Sequence, residues 1–173
     1  MKVFHFEEGA SRRWFYILSG ALFFVFCIWY FTRPVLLIEC AGKELFATTA
    51  ESGTQFSTRF IHSVQKTPVE EFFIVNDDCS GFILKSTRYR SFGVGLPFLE
   101  SDGTFRREGD DFIMDNLNRP IKILELRPGV STEFSITING QNLPLYELVP
   151  LGSLVRISIT SKYKLWYSYL KKI

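Results

Sequence analysis

The sequence predicts an all-β domain, an antiparallel β-sandwich or a partly closed barrel, that follows a single N-terminal transmembrane helix. An 18-residue apolar run lies near the N-terminus, and short runs rich in Phe, Ile, Val, Thr and Tyr follow it. Gly, Asn, Asp or Pro separate these later runs. Helical periodicity is almost absent after the apolar run, and this favours antiparallel strands joined by hairpins.

The apolar run, WFYILSGALFFVFCIWYF, occupies residues 14–31 and contains no charged side chain. At ~1.5 Å per residue, a helix of this length covers about 27 Å, close to the thickness of a bilayer's hydrocarbon core. Trp and Tyr lie near both ends, where amphipathic rings meet the membrane–water interface. Pro34 then ends the helix. The run is therefore predicted to be an uncleaved membrane anchor.

A cleaved signal sequence is the alternative for this segment. No small-residue cleavage site follows the run, and Glu39 is a poor fit to the residue that precedes a lipoprotein cysteine, here Cys40. The flanking basic residues are Lys2, Arg12 and Arg13 before the run, and Arg33 and Lys43 after it. This small bias places residues 1–13 in the cytoplasm and residues 35–173 outside the cytoplasmic membrane of a single-pass protein.

Ten runs after the anchor have the composition of strands. They are Val35–Cys40, Glu44–Thr48, Gln55–Val64, Val69–Val75, Gly81–Ser91, Thr104–Arg106, Asp111–Asp115, Ile121–Leu126, Glu133–Ile138 and Val155–Thr160. The dipeptides Asp102–Gly103 and Asn139–Gly140 suit hairpin turns that need positive φ. The basic, aromatic tail, residues 162–173, is compatible with a final strand, an edge helix or a segment on the membrane surface, and we favour packing on the β domain.

Composition excludes some classes of function. The net charge is only +2, and no run of Lys or Arg with interleaved aromatic residues indicates a nucleic-acid partner. The cysteines are Cys27 in the anchor, Cys40 just after it, and Cys79 in a polar turn. Whether Cys40 and Cys79 form a disulfide stays open, because spacing does not establish proximity.

The segment FIHSVQKTPVEEFF, residues 60–73, contains His62 and two adjacent glutamates. As a hairpin with a four-residue loop at 65–68, it would place His62 opposite Glu71. Alternation would then put Phe60, His62, Val64, Val69, Glu71 and Phe73 on one face of the sheet. Three interpretations of a His62/Glu71 pair stay open: a base held by a carboxylate, part of a metal site, and a polar pair that fixes the register.

The catalytic and metal interpretations of this hairpin are weak. The other histidine, His5, precedes the anchor, and Ser63 points to the face opposite His62. The acidic residues Glu70, Glu71, Asp77 and Asp78 lack the spacing of a calcium-binding loop. We therefore predict no catalytic residue, no metal site and no cofactor.

The segment SFGVGLPF, residues 91–98, interrupts a strand-like run with Gly93, Gly95 and Pro97. Its simpler interpretation is a bend that packs apolar side chains into the core. The alternative is a loop whose N–H groups hold an anion. The arginines that would assist it are Arg59, Arg88 and Arg90.

Together the two segments resemble the DUF1850 family, over roughly residues 37–159. The first matches an HS[VI]-x-K-x-P-x-E motif, and the second a G-x-G-L-P turn. The residues that match are His62, Ser63, Lys66, Pro68, Glu70 and Glu71 in the first motif, and Gly93, Gly95, Leu96 and Pro97 in the second. The resemblance implies a membrane-anchored β domain associated with TAXI-type TRAP transporters, and it implies no established activity.

We therefore expect a non-enzymatic accessory subunit that contacts the membrane subunit of a TRAP transporter or its solute-binding protein. The alternative is a domain that binds a small anionic ligand through the His62/Glu71 face and the Gly93–Pro97 turn, and a hydrolase is less favoured. The residues expected to contact a ligand or partner are His62, Ser63, Lys66, Glu70, Glu71, Gly93, Gly95 and Pro97.

Overall fold

A computed structural model describes residues 8–90 and 103–171 of the chain. The helices in these ranges are α1 (Glu8–Thr32), α2 (Leu145–Leu148) and α3 (Lys162–Leu170). The strands are β1 (Pro34–Cys40), β2 (Lys43–Thr49), β3 (Gln55–Ile61), β4 (Pro68–Val75), β5 (Phe82–Tyr89), β6 (Thr104–Glu108), β7 (Asp111–Asp115), β8 (Arg119–Ile121), β9 (Ile123–Leu126), β10 (Ser135–Ile138), β11 (Gln141–Pro144) and β12 (Val155–Ser161). The prediction of an all-β domain after an apolar helix is confirmed.

The chain divides into two compact units. Residues 34–160 form one, the β domain, and α1 with α3 belongs to the other. The β domain contains a small sheet, with strand order β2-β1-β12-β9, and a large sheet, with order β11-β10-β3-β4-β5-β7-β6 and β8 also paired to β5. The two sheets share one core, so the architecture is a sandwich.

The inner face of each sheet supplies this core. The small sheet contributes alternate residues of β1 and β12, namely Leu36, Ile38, Val155 and Ile157. The large sheet contributes aromatic side chains, among them Phe56, Phe73 and Phe82. Phe56 stacks on Phe73 with ring centroids 4.8 Å apart. Alternation along the strands therefore separates a buried inner face from an outer face that meets solvent.

A bulge in β5 changes which of its residues face the core. Phe72 pairs with Ser86 and Phe73 with Leu84, so Lys85 is the extra residue. The shift brings Thr87 to the inner face, where it is buried. A bulge of this kind re-aims the side chains that follow it.

The observed elements differ from the prediction at several points. The strand predicted to extend to Val64 ends at Ile61, and β8, β11 and α2 were not predicted as separate elements. The C-terminal tail, which we expected to pack on the β domain, forms α3 and belongs to the unit that contains α1. Its contacts there are with the C-terminal end of α1.

Helix α1 is long and apolar enough to cross a membrane. The segment that meets this condition is Arg12–Thr32, 21 residues of which none is buried. Ser19 and Thr32 donate their hydroxyl hydrogens to carbonyl oxygens in the preceding turn of α1. These bonds satisfy hydroxyl groups within an otherwise apolar helix.

Candidate functional site

Glu71 lies on the inner face of the large sheet, in a row with two buried threonines. It pairs with Thr58 of β3 on one side and with Thr87 of β5 on the other. Thr58 is 0% exposed and Thr87 is 1% exposed. The Thr58 hydroxyl donates a hydrogen bond of 3.1 Å to Glu71 Oε2. The threonines therefore give this carboxylate a polar setting within an apolar face.

Apolar side chains lie on both sides of this row. Towards the hairpin loop, Phe60 pairs with Val69 and stacks on Phe134 with centroids 5.2 Å apart. In the opposite direction, the stacked rings of Phe56 and Phe73 continue into the core. Glu71 is thus a carboxylate between two hydrophobic layers, where its charged form loses hydration.

Burial raises the pKa of Glu71 above its ordinary value of 4.5, and the hydrogen bond from Thr58 lowers it in part. The folded state therefore binds a proton at this site more tightly than the unfolded state does. The folded state therefore gains its full stabilisation from this protonated carboxyl below the ordinary pKa. That stabilisation is lost as the pH rises through the raised pKa. The site therefore favours a protonated Glu71 carboxyl, or a group that donates a hydrogen bond to the ionised carboxylate.

His62 does not lie opposite Glu71, so that prediction is wrong. The observed register pairs Thr58 with Glu71 and Ile61 with Pro68, which leaves a six-residue loop at 62–67. The predicted and observed registers differ by an even number of residues, so both place Glu71 on the same face as Phe60, Val69 and Phe73. Alternation therefore assigns the face of Glu71 correctly, but it does not determine the register.

The imidazole of His62 closes this loop. Its Nδ1 accepts from the N–H groups of Val64 and Gln65, at 3.3 and 3.2 Å. The backbone N–H of His62 donates to the carbonyl of Thr67 at 2.9 Å. His62 has a clear structural role as the residue that organises the hairpin loop.

The other expected contact residues lie apart from Glu71. Ser63 and Lys66 are exposed in the loop, and Lys66 has a φ of 53°. Glu70 faces outward, where its Oε1 lies 3.3 Å from Nε of Arg59. The structure therefore distributes the first motif over a loop and both faces of a sheet. It does not gather the motif into one pocket.

The predicted turn with Gly93, Gly95 and Pro97 lies outside the described residues. Two of the arginines expected to assist it are described near the end of β5. Arg90 Nε lies 2.6 Å from Asp111 Oδ1, and Arg88 forms ion pairs with Glu108 and Asp111. These guanidinium groups are thus already engaged with carboxylates.

An open groove on the outer face of the large sheet was not predicted. It has a volume of about 710 Å³ and crosses β10, β3, β4 and β5, with a lining that includes Ser57, Phe72, Ile74, Lys85, Ser86 and Thr137. The signal for it was the alternation that directs Phe72 and Ile74 away from the core. The groove is a concave, partly apolar surface of a kind that contacts other molecules.

The cysteines and acidic residues add no further site. Cys27, Cys40 and Cys79 are free thiols, so the structure contains no Cys40–Cys79 bridge. Across residues 8–90 and 103–171, no group of three or more His, Cys, Asp or Glu side chains has the arrangement of a metal site.

The candidate site lies within a range of the chain that matches a known family. The model of the family described as "Domain of unknown function (DUF1850)" matches residues 56–145. This range runs from β3 to the start of α2 and so takes in the large sheet, including Glu71 and the His62 loop. No curated protein and no solved structure matches the chain. The match covers more than half of the sequence, and the chain belongs to the DUF1850 family.

Proposed function

We propose that the chain is a membrane-anchored, non-enzymatic accessory protein that holds its β domain outside the cytoplasmic membrane. There the domain contacts a TAXI-type TRAP transporter or its solute-binding protein. The observation that carries the proposal is the exposed apolar surface of α1.

The surface of α1 is unsuited to water. Leu22, Phe23 and Phe24 are each more than 60% exposed, although comparable side chains of the β domain are buried. Exposed apolar area costs roughly 25 cal/mol per Å², so a helix of this kind needs a partner or a lipid environment. The 21 residues of Arg12–Thr32 extend over ~32 Å, which suits a bilayer.

Charges at the two ends of α1 support the proposed orientation. Lys2, Arg12 and Arg13 precede the uncharged run 14–31, whereas only Arg33 and Lys43 follow it closely, as expected for a cytoplasmic N-terminus. The guanidinium of Arg33 lies 4.0 Å from the ring centre of Trp29 at the other end. Such a pair suits an interface where an aromatic ring and a cation both remain close to water.

The hairpin loop and the outer groove are the surfaces best placed for a partner. Ser63, Val64 and Lys66 are exposed in the loop. Glu71 and its threonines face the interior of the sandwich, so their contribution to a protein partner is indirect. The transporter itself is proposed from the family resemblance, which relates these domains to TAXI-type systems.

A small anionic ligand is less well supported by the geometry. Glu71 is itself an acid, and Arg59, Arg88 and Arg90 each lie close to a carboxylate. A negative ligand at Glu71 would meet like charge in a poorly solvated setting. The accessory function is therefore the better-supported candidate.

Co-purification tests the proposed function. Gentle detergent extraction of the full chain should recover a TAXI-type membrane subunit or its solute-binding protein. Lys66→Glu should reduce that recovery, because it reverses a charge in the exposed loop. Lys122→Glu is the matched control, since Lys122 is exposed on another part of the β domain. Failure to recover either partner, with normal solute uptake in a deletion strain, contradicts the proposal.

A further inference from the structure

Helix α3 is rich in aromatic and basic residues, and none of its residues is buried. Its sequence, KYKLWYSYL, contains three tyrosines, one tryptophan and two leucines in nine positions. A short helix with so many large apolar side chains normally packs them against a core. Their exposure therefore calls for a partner surface.

Most side chains of α3 fall into an aromatic stripe and a polar stripe. At about 100° per residue, Tyr163, Trp166, Tyr167 and Leu170 share one side, and all four are 47–55% exposed. Lys164 and Ser168, with the C-cap residue Lys171, lie on the adjacent side, and the remaining arc holds Lys162, Leu165 and Tyr169. No acidic residue follows Glu147 in the chain, so every charged side chain of the polar stripe is cationic.

Contacts place α3 beside the C-terminal end of α1, within the same compact unit. The N–H of Lys162 donates to the carbonyl of Arg33 at 3.1 Å. The Lys162 ammonium lies 3.9 Å from the ring centre of Tyr30, and the rings of Phe31 and Trp166 are 6.1 Å apart. These contacts fix α3 at the level where the apolar span ends.

We propose that α3 lies in the headgroup layer of the bilayer that α1 spans and binds anionic phospholipids. Its aromatic stripe faces the acyl chains, and its lysines contact lipid phosphates. Amphipathic helices with Lys on one side and aromatic residues on the other bind membranes in this way. The proposal rests on the membrane anchoring proposed above. Charge complementarity and continuity with the span select lipid as the occupant.

Trp166 is a natural reporter for this contact. The full chain with Trp14→Phe and Trp29→Phe retains Trp166 as its one tryptophan, because the sequence has three. We would reconstitute it in bilayers of phosphatidylcholine alone and of phosphatidylcholine mixed with phosphatidylglycerol. In the mixed bilayers, Trp166 should be protected from acrylamide, and a shallow spin-labelled lipid should quench it more than a deep one does.

Charge removal provides a second test of the same contact. Each lysine near an anionic surface favours the bound state about fivefold. Lys164→Gln with Lys171→Gln should therefore increase the acrylamide accessibility of Trp166 in the mixed bilayers and have little effect in phosphatidylcholine. Lys43→Gln with Lys122→Gln is the matched control, since it removes two exposed lysines from the β domain. It should leave Trp166 protected.

Three results would overturn the proposal for α3. They are equal protection of Trp166 in the two bilayers, protection without quenching by any lipid label, and full accessibility to acrylamide. A variant of the full chain that retains Trp29 as its one tryptophan distinguishes failure of the proposal for α3 from failure of the membrane anchor. If lipid labels quench Trp29 but not Trp166, only the proposal for α3 fails. If neither is quenched, the anchor fails as well.

Discussion

The β domain and helix α1 place their large apolar side chains in opposite environments. In the β domain, Phe73 and Phe82 are 2% and 1% exposed, whereas Phe23 and Phe24 of α1 are 68% and 66% exposed. The same residue type therefore has two different roles in one chain. In the β domain, phenylalanine builds a core that is shielded from water. In α1, it presents a surface suited to lipid.

The largest expected effect tests the buried side of this comparison. Phe73→Ala should lower the free energy of unfolding by about 3–5 kcal/mol, because it opens a cavity between Phe56 and the rest of the core. Urea unfolding of the full chain in a mild detergent, followed by circular dichroism, measures the change. Phe23→Ala is the matched control and should change that free energy by less than about 0.5 kcal/mol. Equal losses in the two variants would contradict the assignment of different environments.

Much of this architecture follows from the sequence. The apolar run and the strand composition predict the helix and the all-β domain, and alternation correctly places Phe60, Val69 and Glu71 on one face. The hairpin register was not predictable, because registers that differ by an even number of residues expose the same face. The contact that accompanies the observed register, the Thr58–Glu71 hydrogen bond, joins two side chains across strands and has no local pattern.

Other parts of the candidate site were beyond sequence reasoning for different reasons. The loop that His62 closes depends on hydrogen bonds to Nδ1, which a helical or strand-like periodicity does not reveal. The bulge at Lys85 shifts the face of every following residue in β5. The outer groove requires four strands to be placed side by side, so the alternation that directs Phe72 and Ile74 outward does not predict it without the topology.

The comparison between buried and exposed environments extends to two threonines. Thr58→Val should destabilise the β domain by about 1–3 kcal/mol, because Glu71 loses its buried hydrogen-bond donor. Thr137→Val, on the outer side of β10, is the control and should have an effect below about 0.5 kcal/mol. Thermal or urea unfolding checks both. Unchanged stability in Thr58→Val would mean that water or another group donates a hydrogen bond to Glu71 in place of Thr58.

A smaller effect is expected at Glu71, and it depends on pH. Burial raises the pKa of this carboxyl, so its ionisation destabilises the fold as the pH rises above the ordinary value of 4.5. Glu71→Gln should stabilise the domain near neutral pH by on the order of 1 kcal/mol and give no gain below the ordinary pKa. Unfolding free energies measured across this pH range test the prediction. The opposite pH trend would show that the ionised form of Glu71 is favoured in the fold.

The smallest effect is expected at the adjacent residue on the outer face. Glu70 forms a surface ion pair with Arg59. Such exposed pairs contribute about 0–1 kcal/mol, and salt screens them. Glu70→Gln should therefore change stability only slightly and lose its effect in high salt, unlike Glu71→Gln. Similar behaviour in the two variants would remove the distinction between the inner and outer faces.

The central claim is that α1 anchors the β domain outside the cytoplasmic membrane, and cysteine labelling in intact cells tests it most directly. Lys122→Cys places a thiol at an exposed position of the β domain, and Lys2→Cys places one before the anchor. The unsubstituted chain gives the background from its native cysteines. A membrane-impermeant maleimide should label Cys at position 122 in unbroken spheroplasts and Cys at position 2 only after permeabilisation. Labelling of position 122 that requires permeabilisation, or recovery of the chain in the soluble fraction, would contradict the claim.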